Sequence, residues 1–305
     1  MHIASEVIFF GSYLVFPIVL LGIYGLFKVK FPRSIFLYVI IFSSILFIYA
    51  RFIERNFITV SHESIQYFHE PGNIVIPGKQ PLRIAVVGDI HAGVYKGQGF
   101  VQRVVDKVNQ QNVDIVFLVG DYVFMAKEDK LESLLRPLQG LSADVYGVLG
   151  NHDYGEYDEE DFSEELTALL SSFGVQMIDN KTVDINFKDQ KIHIMGIGDL
   201  DGKNVDINLL KQLRDKENNI LVTHNPDVVS LANYGSVKLA ISGHTHCGQV
   251  RIPGYKMAIP TKGEFFNGGL TTFNGGDLFI TCGLGESFLP LRFLNPPEIN
   301  ILELY

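Results

Sequence analysis

The chain has 305 residues, with 34 acidic against 25 basic side chains and a formal net charge of −9. That length allows one large domain or two medium ones with a substantial core, and the acidic balance argues against a nucleic-acid surface, which shows as a basic patch. The two cysteines, Cys247 and Cys282, form no Cys-x-x-Cys pair, so neither a disulfide scaffold nor a zinc ribbon is indicated.

The apolar content is concentrated at the N-terminus. Val7 to Phe27 carries no charge and is long enough to cross a bilayer as a helix. Ser34 to Ala50 is also uncharged, at the short end of the spanning range. Lys28, Lys30 and Arg33 lie between them, with Pro32 as a breaker. The expectation is a hairpin of two antiparallel transmembrane helices over residues 1–56, joined by a tight basic loop, ahead of a domain over residues 57–305. A cleaved signal peptide fits less well, because no Lys or Arg precedes Val7 and no small-x-small cleavage site is evident. A monotopic or re-entrant hairpin stays open because the second segment is short. The positive-inside rule puts the basic loop in the cytoplasm, which leaves the large domain outside it on a multi-pass membrane protein. Arg51 and Arg55, after the second segment, pull the other way.

Phe57 to Gln80 is rich in β-formers and in turn residues, Pro71-Gly72 and Pro77-Gly78, and reads as one or two strands leading away from the membrane. From Leu82 short apolar runs alternate with amphipathic stretches. The runs are Ile84–Val87, Val113–Val119, Val145–Leu149, Ile192–Ile197, Ile220–Val222, Val237–Ile241, Leu278–Thr281 and Ile299–Leu302. Helices are expected over Gly99–Gln110, Lys127–Leu138, Glu159–Phe173, Asp206–Lys216 and Asp227–Tyr234. Alternation of this kind means an α/β domain with covered sheet faces. The acidic stretch Asp153 to Glu165 reads as a solvated loop and helix start.

The residues just beyond five of these runs carry the chemistry. Ile84–Val87 leads to Gly88-Asp89-Ile90-His91, Val113–Val119 to Gly120-Asp121, and Val145–Leu149 to Gly150-Asn151-His152-Asp153. Ile220–Val222 leads to Thr223-His224, and Val237–Ile241 to Gly243-His244-Thr245-His246. In an extended segment His244 and His246 point the same way. Each piece alone has a plain alternative, a polar turn or a hydrogen-bonded histidine; His193 and Gly198-Asp199 are read that way. Five strand ends together are hard to assign to turns, because open α/β sheets assemble their sites beyond the carboxyl ends of strands. Mixed carboxylate, imidazole and amide donors suit divalent ions such as Mn²⁺, Fe²⁺ or Zn²⁺.

The order D-x-H, G-D, G-N-H-D, H, G-H-T-H, over Arg83 to His246, resembles the calcineurin-like metallophosphoesterases. The Gln249–Pro253 extension and the Gly283-Leu284-Gly285 to Pro297-Glu298 tail resemble a bacterial membrane-associated branch of that family. The resemblance implies a β-sandwich flanked by helices and a centre of two divalent metal ions. By that resemblance Asp89, His91 and His246 hold one ion, Asn151, His224 and His244 the other, and Asp121 bridges them. His152 is then the acid or phosphate contact, oriented by Asp153. The expected reaction is metal-dependent hydrolysis of a phosphodiester or pyrophosphate. The alternative is a non-enzymatic metal-stabilised scaffold of the same fold, which is expected to lose ligands that this chain keeps. Cys247 stands where the family has glycine; it reads as a small buried residue in preference to a redox-sensitive neighbour or a partner for Cys282. Arg251 and Arg292 read as surface arginines in preference to phosphate contacts. Phe265, Phe266, Phe273, Phe288 and Phe293 are either ordinary core or an apolar rim for a lipid-linked, membrane-proximal substrate. Within the resemblance a UDP-diacylglucosamine-type pyrophosphatase requires a cytoplasmic site, whereas an extracytoplasmic phospholipid or lipid-carrier phosphate does not.

Overall fold

Alternation along the strands sets the architecture. In a computed structural model, which describes residues 2–28, 34–68, 80–156, 159–213, 218–252, 261 and 268–305, successive apolar side chains face two different cores. The helices are α1 (His2–Gly11), α2 (Val15–Leu26), α3 (Ser34–Ile48), α4 (Gln98–Asn109), α5 (Leu131–Leu135), α6 (Ser163–Ser172) and α7 (Ile207–Leu210). The strands are β1 (Thr59–Ile65), β2 (Leu82–Val87), β3 (Ala92–Gly93), β4 (Ile115–Val119), β5 (Val123–Phe124), β6 (Asp144–Val148), β7 (Gln176–Met177), β8 (Lys181–Phe187), β9 (Gln190–Ile197), β10 (Asn219–Thr223), β11 (Leu239–Ser242), β12 (Gly269–Phe273), β13 (Gly276–Ile280) and β14 (Glu298–Leu304).

They form two six-stranded sheets, in the orders β1-β14-β2-β4-β6-β7 and β12-β13-β11-β10-β9-β8. Ile84, Val86, Ile115, Phe117 and Val119 of the first sheet meet Ile192, Ile194, Ile220, Val222, Leu239 and Ile241 of the second in one buried cluster. The intervening residues Ala85, Val87, Val116 and Leu118 face α4 and α6. On the far side Met195, Leu221, Ala240 and Leu278 face α7 and the 3₁₀ turn Pro226–Leu231. This is the sandwich with helices on its outer faces that the motif order implied. β2, β4 and β6 run parallel, as do β9, β10, β11 and β13, so the carboxyl ends in each sheet share one edge.

Some expected elements differ. The helix expected over Lys127–Leu138 breaks into a 3₁₀ turn, α5 and a second 3₁₀ turn carrying Pro137 near its start. Asp227–Tyr234 becomes the 3₁₀ turn begun by Pro226, and Asp206–Lys216 yields α7 alone, its end lying outside the described residues. β8 and β12 were not expected: β8 is a largely exposed edge strand of polar residues, without an apolar run to mark it. The strand expected after the hairpin is β1, paired with β14; the Pro-Gly pairs at 71–72 and 77–78 lie outside the described residues, as do Lys30, Pro32 and Arg33.

The N-terminal segments Val7–Leu26 and Ile35–Asn56 are both helical, long and apolar enough to cross a membrane. They pack on one another where Gly22 meets Ile41 and Gly25 meets Leu37. Their remaining surface is exposed and apolar, with Phe10 67%, Leu20 68% and Phe36 70% accessible, unlike that of a core helix. The second helix does not stop at Ala50. It runs on through a π turn (Tyr49–Ile53) and a 3₁₀ turn (Glu54–Asn56), which bury Arg51, Glu54 and Arg55.

Candidate metal centre

Five strand ends deliver the site. Asp89 and His91 follow β2, Asp121 follows β4, Asn151 and His152 follow β6, His224 follows β10, and His244 and His246 follow β11. All are buried, and Asp89, His91 and His224 are fully so. The turns are cross-tied: Asp89 N donates to Gly120 O (3.0 Å), His91 N to Asp121 O (3.0 Å) and Gly243 N to His224 O (3.0 Å). Side chains tie them further, because His244 N donates to Asp89 Oδ1 (2.9 Å) and His152 N to Asp121 Oδ1 (3.1 Å). Asp89, His91, Asp121, His244 and His246 all have positive φ, between 46° and 68°. Non-glycine residues adopt that conformation at a cost, and it concentrates at functional sites.

Two groups of donor atoms result. His91 Nε2 lies 3.1 Å from His246 Nε2 and 3.2 Å from Asp121 Oδ2, and His246 Nε2 lies 3.5 Å from Asp89 Oδ1. One ligand atom from each of Asp89, His91, Asp121 and His246 falls within 4.8 Å of all the others. The second group joins His224 Nε2, which is 3.0 Å from Asn151 Oδ1, to His244 Nδ1, 2.9 Å from that oxygen and 3.2 Å from His224 Nε2. Asp121 Oδ2 is 3.2 Å from His224 Nε2 and so belongs to both groups.

The chemistry of these atoms fits divalent metal. His224 Nδ1 lies 2.7 Å from the Val119 carbonyl oxygen, which can only accept, so Nδ1 donates there and Nε2 is the nitrogen turned to the site. Nε2 faces two oxygen acceptors, so positive charge, a proton or a metal cation, is called for at that point. Asp89 Oδ2 is buried without a hydrogen-bond partner. The charge balance agrees. Burial pushes Asp89 up to about 7, against the opposing His224. Burial also lowers His246, reinforced by His91 and Arg292. His224 goes the other way: burial lowers it, but Asp121 outweighs burial and holds it well above its usual range. The site demands positive charge beside Asp121.

Residues 82–248 match the family model of the calcineurin-like phosphoesterases. The chain belongs to that family. It is 28% identical over 262 residues to the uncharacterized metallophosphoesterase YkuE of Bacillus subtilis, an alignment covering 84% of this chain and 88% of YkuE. It is 30% identical over 242 residues to Cj0846 of Campylobacter jejuni, covering 76% of this chain and 62% of that protein. The UDP-2,3-diacylglucosamine pyrophosphatase LpxG of Chlamydia muridarum is 24% identical over 276 residues, covering 72% of this chain and 83% of LpxG. Members of the family hydrolyse phosphoric esters with metal, and this chain is such a hydrolase.

The surroundings of this phosphoesterase site revise several sequence readings. His152 Nδ1 is 3.0 Å from Glu159 Oε1, and both side chains are 5% exposed. The Asp153 carboxylate, expected to orient His152, instead accepts from the backbone amides of Tyr122, Val123 and Gly150 and braces the loop. The acidic stretch is therefore not wholly solvated: Asp153 is fully buried and Glu159 is packed against the imidazole. Burial alone would lower His152, but Asp121 and Glu159 outweigh it and raise it to about 9. Cys247 and Cys282 form a disulfide beside His246, which replaces the reading of Cys247 as a lone small residue. Arg292 is not a surface residue. It is fully buried, and its guanidinium donates to the carbonyls of Cys282, Gly285 and Asn295, with Nη2 3.4 Å from His246 Nδ1. Arg251 is exposed, as expected, and His193 points off the core onto Asp184. Asp199 is fully buried and accepts from Gly202 N at 2.7 Å, closing the expected turn. Phe265 and Phe266 lie outside the described residues; Phe273 packs on the second sheet, Phe293 is half-buried and Phe288 is exposed.

Gly150 is where the turn after β6 passes Asp121. A Cβ there would collide with Asp121 Oδ1 and lie 2.6 Å from the Asp121 amide nitrogen. Gly150→Ala is therefore expected to displace the shared carboxylate and lower bound divalent metal, as read by elemental analysis of the purified protein. Wild-type metal content in that variant removes Asp121 from its place between the two groups.

Proposed function

We propose that this chain is a membrane-anchored phosphoesterase with two divalent metal ions, hydrolysing phosphodiester or pyrophosphate bonds in a lipid-linked substrate. The observation that carries the metal assignment is the single oxygen, Asp121 Oδ2, at 3.2 Å from both His91 Nε2 and His224 Nε2. In this reading Asp89, His91, Asp121 and His246 hold one ion, and Asn151, His224, His244 and Asp121 the other. Mn²⁺, Fe²⁺ and Zn²⁺ suit the mixed donors. When bound, the ions supply charge opposite the phosphoryl oxygens and acidify water. The protein's own part is positional and protic. Asp121 sets the spacing of the two groups, and His152, kept protonated by Asp121 and Glu159, gives its proton to the departing oxygen. Chelation is expected to abolish hydrolysis of a chromogenic phosphodiester, and Mn²⁺ to restore it better than Mg²⁺, since imidazole donors disfavour Mg²⁺. His152→Asn is expected to keep its metal and lose about 10²–10⁴-fold in rate. Metal-free activity, or a His152→Asn protein empty of metal, defeats this assignment.

For topology we infer a hairpin over 1–56 with the domain over 57–305 outside the cytoplasm. Arg55, which opposed that orientation in the sequence, is paired with the buried Glu286 at 2.8 Å instead of forming part of a solvated basic flank. The Cys247–Cys282 disulfide also suits an oxidising compartment. A reporter that works only outside the cytoplasm, fused after Tyr305, is expected to be active; activity confined to a cytoplasmic reporter reverses the topology.

The lipid reading is supported by where exposed apolar side chains lie. Phe57 (66% exposed) directly follows the second helix, and Phe288 (42%) and Leu294 (54%) flank Arg292, whose amide donates to Ala50 O at 3.2 Å. These side chains stand beside the end of an apolar span. LpxG, by its name, acts on a diacylated sugar nucleotide. Detergent-solubilised lipid phosphodiesters are expected to be cleaved with higher kcat/KM than their deacylated head-group analogues, and equal values on both discard the lipid reading.

A further inference from the structure

The second apolar helix does not merely lead to the phosphoesterase domain; its last turns are built into it. Arg51, Glu54 and Arg55 are spaced three and four residues apart and share one helix face. The π turn at Tyr49–Ile53 precedes Glu54 and Arg55, and such turns recur at functional sites. All three residues are buried, 2–3% exposed. Arg55 and Lys96 converge on the fully buried Glu286, at 2.8 and 2.9 Å, and Arg55 Nη2 also donates to Tyr95 O at 2.9 Å. This cluster fixes the helix end against the domain. Breaking one partner of such a buried pair is strongly destabilising.

From that fixed end a connection through Glu54 leads to the metal centre, beside the one from Ala50 O through Arg292. Glu54 Oε1 accepts from the backbone amide of Asn295 at 2.6 Å. The Asn295 side chain in turn donates from Nδ2 to the His246 carbonyl at 2.7 Å, and Asn295 O accepts from Arg292 Nη1 at 3.2 Å. His246 has φ of 46°, a left-handed conformation that a non-glycine residue keeps only when its surroundings hold it. Asn295 is one of the groups that hold it.

We propose that Glu54, on the last turn of the second apolar helix, is a positioning residue of the metal centre: through Asn295 it holds His246 in its ligating conformation. The inference rests on the two-metal reading above and goes beyond it in making the affinity of the ion held by His246 depend on how the hairpin is seated. Groups behind metal ligands commonly contribute about 10–100-fold to metal affinity. Glu54 acts one step further back, through Asn295, so the lower part of that range is expected.

The test uses the full chain in detergent, with bound Mn²⁺ counted against a graded competing chelator and thermal unfolding followed in parallel. Wild type is expected to hold two ions. Glu54→Ala is expected to release one of them about tenfold more readily, with the other ion unchanged. Glu54→Gln keeps a carbonyl oxygen for the Asn295 amide and is expected to match wild type, which a role resting on the Glu54 charge would not predict; the packing alternative is read from the melting temperature. Asn295→Ala is expected to weaken the same ion, and adding Glu54→Ala to it to weaken that ion no further, because the route is already cut. That cycle also covers a Glu54→Ala protein that folds poorly, since Asn295→Ala reads the same link from the other side. Wild-type affinities for both ions in Glu54→Ala, additive losses in the double variant, or loss of both ions in step with the melting temperature each overturn the inference. If wild type itself fails to bind two ions, the two-metal reading falls, and this inference falls with it.

Discussion

One carboxylate oxygen organises the site. Asp121 Oδ2 stands 3.2 Å from an imidazole of each sheet, His91 after β2 and His224 after β10. Two parallel sets of strands, packed face to face, bring their carboxyl ends to a common edge, and Asp121 joins them there. Taking a carboxylate and several imidazoles out of water is costly unless charges are paired and lone pairs find partners. Within the protein that requirement is met only in part. His224 and His152 are raised by Asp121, while His91 and His246 are lowered by burial, so the cluster carries both a shared negative charge and uncommitted lone pairs. Divalent cations answer both needs, which explains why carboxylate, amide and imidazole donors can all sit in so dry a place.

The sandwich pays for this convergence with backbone strain at the site residues. Asp89, His91, Asp121, His244 and His246 occupy left-handed backbone conformations although none is glycine. Each follows the carboxyl end of a strand, where a normal extended continuation would carry the side chain past the edge. Turning the chain back at that point aims it at the neighbouring strand's turn, and the cross-ties between Asp89, Gly120, Asp121, His224 and Gly243 hold the result. Such geometry depends on the surrounding fold to impose it. The site residues and the core are therefore coupled: the cluster packed between the sheets supplies the rigidity that keeps strained turns in register.

Much of this was legible in the sequence, and the rest was hidden for identifiable reasons. The apolar runs located eight strands because buried strands leave continuous apolar signals; β8 went unseen because an exposed edge needs none. The residues at the strand ends could be collected because a parallel topology forces them together. Partners that come from afar left no local trace. Glu159 lay inside what looked like a solvated acidic loop, yet it meets His152. Arg292 was read as a surface arginine and Glu286 drew no reading, yet both are fully buried, one at His246 and one between Arg55 and Lys96. Burial of a charge is decided by tertiary partners, and no spacing rule announces it. The pairing of Cys247 with Cys282 has the same character, since two cysteines 35 residues apart do not by themselves show that they come together.

These unforeseen contacts gather around one ligand. His246 is followed directly by Cys247, whose disulfide ties it to Cys282 at the end of β13, and closing a loop of that length contributes about 3–4 kcal/mol in a chain-entropy model. Arg292 joins the Cys282 carbonyl to the neighbourhood of the His246 ring, and Asn295 holds the His246 carbonyl. Asp121, Asn151 and His224 lie only one to three residues beyond the ends of β4, β6 and β10. His246 sits four residues beyond the end of β11, two further along its loop than His244. A side chain that far from its strand is held by restraints from outside it. The tail from Gly283 to Asn295 does this, and that tail is itself fastened to the end of the second apolar helix through Ala50, Glu54 and Arg55. His246 is thus joined to the hairpin, and the connection runs through buried bonds instead of a loose tether.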